Sequence, residues 1–183
     1  MRTLHSRDES HGVAGIPAEV KAFASQAARL VAGGEREIIV LAGSAQPALS
    51  EGSVLYGALA AAAARGVALR VLLSGQAPAE LRTRVAGVAQ LAGVCREDVP
   101  FDFVVVDREG VQLLARHPGT HRLRQANLPQ GTRSAAYLTQ LFDALLDRCE
   151  SLEAFETPAA SAPAESSLGD RQASRDTRAN RPG

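Results

Sequence analysis

A chain of 183 residues has the length of one ordinary domain, and 20 basic against 20 acidic side chains leave it formally neutral. That balance removes any global electrostatic pull toward nucleic acid or an anionic membrane, so bulk charge predicts no partner. The only cysteines, Cys95 and Cys149, stand at no metal-ligand spacing, and two separate buried thiols are expected rather than a disulfide.

The polar start MRTLHSRDESHG lacks the apolar stretch of a secretory signal, and no apolar run is long enough to span a bilayer. A soluble, cytoplasmic protein is the expectation. Lys21 is the one lysine among the basic residues and alanine is abundant, which suggests the GC-rich codons of a bacterial genome.

Residues 1–16 carry no helical period and read as a flexible segment. Pro17 then suits the first turn of a helix reaching about Gly33, with Val20, Phe23, Ala24, Ala27, Leu30 and Val31 at three- and four-residue spacing. Residues 36–42, REIIVLA, have the β-branched centre of a strand covered on both faces. After the loop GSAQPALS, Ser50 or Ser53 caps a helix through the alanine block to Arg65, and VALRVLL over 67–73 is a second strand. Strand, helix and strand in so short a span form a right-handed crossover with parallel strands. The run Ala58 to Ala64 lets its helix lie close to the sheet.

Beyond Pro78 the pattern predicts a third helix to Ala92, carrying Leu81, Val85, Val88, Ala89 and Ala92 on one face and ended by Gly93. Residues 101–106 and 111–115 are strand-like runs joined by Asp107-Arg108-Glu109-Gly110, a hairpin. Residues 116–131 read as loop. A last helix over 133–152 would bury Ala136, Tyr137, Leu141, Leu145 and Cys149. From Thr157 the Ala, Ser, Pro, Asp and Arg composition offers too little burial to offset ordering, so 156–183 is expected to be a disordered tail and 17–155 the domain. The fold class is α/β: a mixed sheet with a parallel β-α-β core and an antiparallel hairpin, helices packed on it.

In such a sheet ligands sit beyond the carboxyl ends of the parallel strands. That rule selects Ser44, Gln46 and Ser50 after the first strand and Ser74 and Gln76 after the second, all neutral hydrogen-bonding groups. The plainer alternative is that they are cap and turn residues. Arg116, His117, His121 and Arg122, with Arg124, form a basic stretch able to hold an anion, or simply a solvated loop. His117 and His121 are separated by Pro118 and Gly119, so they do not share a helical face as metal ligands. There is no phosphate-binding glycine motif, no G-x-S-x-G elbow, and no expected catalytic residue, cofactor or metal.

REIIVLAG, ALAAAAARGVALRVLLS, VPFDFVVVDREGVQLLA and YLTQLFDALLDR together span most of the expected domain. Over Glu19 to about Glu150 the chain resembles the effector domain of TrmB-type and related LuxR-type bacterial regulators, a non-catalytic branch of the phospholipase D-like fold. Catalytic members of that superfamily carry H-x-K-x-x-x-x-D on the hairpin strand. Aligning the motif on Asp107 puts Pro100 at the histidine position and Asp102 at the lysine position, which removes the nucleophile and replaces a phosphate-holding cation with an anion. The surviving Asp107 has a plainer explanation in its turn.

The resemblance implies a pseudoenzyme that senses a small ligand or binds a protein partner in transcriptional regulation, and homodimerisation. Neither end of the chain offers the helices of a helix-turn-helix module, so no direct nucleic-acid contact is expected, and no membrane. The rivals are a cryptic phosphodiesterase using His117 or His121 in a dimeric site beside Asp107, and a purely structural interaction domain.

Overall fold

The structure, a computed structural model, describes residues 16–126, 128 and 131–152. The flexible segment and disordered tail expected at the two ends lie outside these residues, apart from Ile16.

Helix α1 (Ala18–Ala32) buries Val20, Phe23, Ala24, Ala27 and Val31, the face its spacing predicts. Strand β1 (Glu37–Ala42) is buried from Ile38 onward, as its unbroken apolar run requires. A 3-10 turn (Gln46–Leu49) leads to α2 (Val54–Ala64), where Ser53 caps by accepting the Tyr56 N–H at 3.1 Å. Strand β2 (Ala68–Ser74) lies parallel to β1, with Val40 opposite Val71. The crossover is therefore present.

Helix α3 (Ala79–Ala86) stops at Gly87, short of the expected Ala92, and Leu91–Cys95 is a strand, β3, parallel to β2. The apolar run after Pro78 suits a helix or a buried strand equally well, and the free edge of β2 decides between them. Strands β4 (Phe101–Val106) and β5 (Gly110–Arg116) make the expected hairpin, and β4 pairs antiparallel to β1. A short strand, β6 (Leu123–Ala126), occupies part of the expected loop and pairs with β5.

Helix α4 (Thr132–Leu146) ends earlier than predicted and buries Ala135, Leu138, Thr139 and Phe142. The expected stripe is off by a fraction of a turn: Tyr137 is 66% exposed. The chain then turns into β7 (Glu150–Ser151) on the outer edge of β3. Because Gly93 faces Ser151 and Val94 faces Glu150, the same register carries Cys149 to Cys95. Their Cα atoms are 4.4 Å apart and they form a disulfide, which corrects the expectation of separate thiols.

Among the described residues the sheet has seven strands in the order β6-β5-β4-β1-β2-β3-β7. One face is covered by α1, α2 and α3 over Ile38, Val40, Leu69, Val71 and Val104. The other is covered by α4 over Ile39, Leu41, Leu72, Phe103 and Val105. The mixed α/β arrangement is the one expected. It brings the carboxyl ends of β1, β2 and β3 and the start of β4 to one end of the sheet.

Candidate functional site

At that end the loop after β1 passes over the first residues of β4, and Asp102 decides its path. Asp102 is 1% exposed, and its Oδ1 accepts the N–H of Gly43 and, at 3.1 Å, that of Ala45. Burial pushes its pKa up to about 6 against the pull of those amides and of the Arg116 guanidinium. Gly43 is needed for the close approach, since a Cβ there would stand 2.3 Å from Ser74 Oγ. Arg116 reaches back from the end of β5, donating to Ser44 Oγ and pairing with Asp98 at 2.9 Å.

The loop so fixed forms one wall of a cleft of about 470 Å³, and the start of α3 forms the other. Ser44, Gln46, Ser50 and Gln76 line it. Gln46 Nε2 donates to the Ser74 carbonyl at 2.7 Å, and Ser50 Oγ donates to the Pro47 carbonyl at 2.8 Å. Ser74 is not a lining residue: it lies 2% exposed under Gly43, with its hydroxyl toward the Val99 N–H. Sequence reasoning missed Glu80 and Arg84, which line the α3 wall. The signal was present in Pro78, which starts a helix directly on the crevice side of the β2 loop.

Of the expected anion-holding residues, only Arg116 bonds to the β1 loop; the others stay in the exposed turn between β5 and β6 at the same end of the sheet. His117 Nδ1 accepts the Gly119 and Thr120 N–H groups of its own turn, each at 3.2 Å. His121 is exposed with φ +53°, and Arg122 is exposed. No group of three or more His, Cys, Asp or Glu side chains suited to a metal ion occurs among the described residues.

Asp107 sits at the far end of β4. Its carboxylate accepts the N–H groups of Glu35, Arg36 and Glu37 at 2.8 to 2.9 Å, so its partners are some seventy residues away and not in its own turn. Burial alone would raise its pKa, but the amides of Glu37, Glu35 and Arg36 outweigh that and lower it. Asp107 and Arg108 both have positive φ, the signature of a tight type I′ hairpin. The six residues of β4 separate Asp107 from the His117 turn by roughly 20 Å. Within one chain, Asp107 and the histidines of that turn are therefore not adjacent.

Neither the family models nor the curated proteins give a match to this chain. Among solved structures, NucT from Helicobacter pylori aligns at a TM-score of 0.52 and 9% identity, over 74% of this chain and 94% of that one. The fold is phospholipase D-like. The same phospholipase D-like core aligns with TrmBL2, an archaeal chromatin protein described as showing a novel mode of DNA binding. That alignment has a TM-score of 0.52 and 14% identity, and covers 72% of this chain. This chain spans half the length of TrmBL2.

The TrmBL2 likeness corrects one expectation. The sequence, in which no helix-turn-helix is read, leads to the expectation of no direct nucleic-acid contact, whereas TrmBL2, which aligns with this fold, is described as binding DNA. Net charge averages over the whole surface and is silent about local basic segments. No helix among the described residues is long and apolar enough to cross a membrane.

Proposed function

We propose that this domain is a non-catalytic regulatory module that takes a small ligand into the cleft between the β1 loop and α3. The supporting observation is the role of Asp102. At the position where a catalytic relative would hold phosphate with lysine, the side chain is turned to backbone amides and shapes the cleft wall. Pro100, at the histidine position, supplies no nucleophile there for the covalent step of phosphodiester hydrolysis. The link to transcription follows from the TrmB-like resemblance.

A ligand that binds only the folded state raises its apparent stability by mass action. A thermal-shift screen of metabolites should therefore yield a ligand whose effect is lost in Gln76→Trp, which fills the cleft from its exposed rim. Bis(4-nitrophenyl) phosphate should not be hydrolysed. Turnover that disappears in Asp107→Ala would overturn the non-catalytic reading, and a screen without any shift would favour a domain that only binds protein partners or a second copy.

A second reading, direct contact with DNA, is supported by the TrmBL2 likeness and by the β5–β6 hairpin. His117, His121, Arg122 and Arg124 are all exposed there, and neither arginine forms an ion pair with a described residue. Backbone binding of this kind would weaken steeply with salt. Gel-shift titration of duplex DNA at two salt concentrations, with Arg122→Ala/Arg124→Ala as control, tests it.

A further inference from the structure

The α3 wall of the cleft carries two opposite charges that are not spent on each other. Glu80 and Arg84 are four residues apart on α3, so they share a helical face, and acid before base at this spacing ordinarily makes an intrahelical pair. Here the Arg84 guanidinium turns instead to Glu51 at 3.6 Å and to the Tyr56 ring at 5.8 Å. Glu80 has no ion pair with a described residue. The Glu51 side chain is 87% exposed, so its tie to Arg84 is a surface pair that a ligand carboxylate can displace at little cost.

The charges select the class of ligand. A carboxylate without an ammonium would meet Arg84 but be repelled by Glu80, and an amine without a carboxylate would meet the reverse. A neutral polyol could hydrogen-bond to both groups but would neutralise neither charge. A molecule carrying both groups on one carbon offers each charge its opposite. Leu81, Pro47 and Pro78 add an apolar surface to the same cleft, suited to a hydrocarbon side chain. A volume of about 470 Å³ lies toward the small end of ligand cavities, sized for a single small molecule.

We propose that the cleft binds an apolar α-amino acid as its zwitterion, with the carboxylate on Arg84 and the ammonium on Glu80. This rests on the ligand-sensing reading above and names the ligand of that site.

The test uses the full chain and four probes: L-leucine, 4-methylpentanoate, isopentylamine and glucose. Leucine should raise the melting temperature and give calorimetric binding, and the other three should not. Glu80→Gln and Arg84→Gln should each weaken leucine about tenfold or more while leaving the unliganded fold, checked by circular dichroism, intact. Glu80 is exposed, so its variant reports on binding even if Arg84→Gln disturbs packing against Tyr56. If 4-methylpentanoate or glucose binds as well as leucine, the zwitterion assignment falls while ligand sensing stands. Leucine binding that neither variant weakens overturns the site. If no probe binds, the proposal is overturned, and the wider metabolite screen alone decides whether the cleft takes a ligand of another class.

Discussion

Asp102 and Gly43 meet across 59 positions of sequence, the buried carboxylate of β4 accepting the N–H of the first residue beyond β1. That contact has a pH signature. Folding raises the Asp102 pKa from 3.8 to about 6, so its contribution to stability is fully present below 3.8 and is lost as pH rises through 6. The gap corresponds to on the order of 3 kcal/mol. Asp102→Asn keeps an acceptor oxygen for the Gly43 and Ala45 amides and removes the charge. It should equal or exceed the wild type in stability at pH 7.5, and the difference between the two should shrink toward pH 4. Asp102→Ala, which leaves two amides without an acceptor, should be less stable than Asp102→Asn by about 1–3 kcal/mol. Urea unfolding across this range decides, and an unchanging difference between wild type and Asp102→Asn would rule out a buried titrating carboxylate.

Asp107 is expected to behave with the opposite sign. Its lowered pKa gives stability present above the ordinary 3.8 and lost as pH falls through the folded-state value. Asp107→Ala should cost about 1.5–3 kcal/mol at pH 7, the scale of hydrogen bonds to a charged group, and less at pH 3. Ligand affinity should not change, since Asp107 lies at the opposite end of β4 from the cleft. Equal destabilisation at both pH values would mean that the carboxylate's charge contributes nothing.

What the sequence made legible was local. The Ile38–Leu41 run, the crossover to β2 and the Asp107–Gly110 turn each announce themselves within a few residues, and the rule for strand ends picked four residues that line the cleft. What it hid depends on pairing between distant segments. β3 is a strand because the edge of β2 is free to receive it, and Cys95 meets Cys149 because β7 closes the far edge. Asp102 could be read as a departure from a catalytic pattern, but its amide partners lie on another strand's loop. Ser74 follows β2 as the rule requires, yet the close approach of Gly43 covers it.

The Gly43–Ser74 approach should show as a coupled pair. Gly43→Ala places a Cβ 2.3 Å from Ser74 Oγ, and the forced shift should cost about 1–3 kcal/mol and weaken ligand binding. Ser74→Ala removes the obstructing oxygen, leaving the Ser74 Cβ at an ordinary 3.6 Å. The double variant should therefore be more stable than the sum of the single changes predicts. Strict additivity would mean that the loop moves away from Ser74 freely and that Gly43 is not required there.

The register of α4 on the sheet gives the last test. An apolar stripe through Tyr137 and one through Phe142 are both readable from the sequence, and the structure selects the second: Phe142 is fully buried while Tyr137 is 66% exposed. Arg70 fixes that choice, because its guanidinium stacks on the Phe142 ring at 4.8 Å while pairing with Asp143 and, at 3.3 Å, with Glu37. Turning the helix to bury Tyr137 would break this link between β1, β2 and α4. Phe142→Ala should thus cost about 3–5 kcal/mol, and Tyr137→Ala should stay within about 0.5 kcal/mol of wild type. A large loss at Tyr137 in chemical denaturation of the monomer would place the helix on its other face. If the loss at Tyr137 instead grows with protein concentration, the exposed ring belongs to an interface between copies.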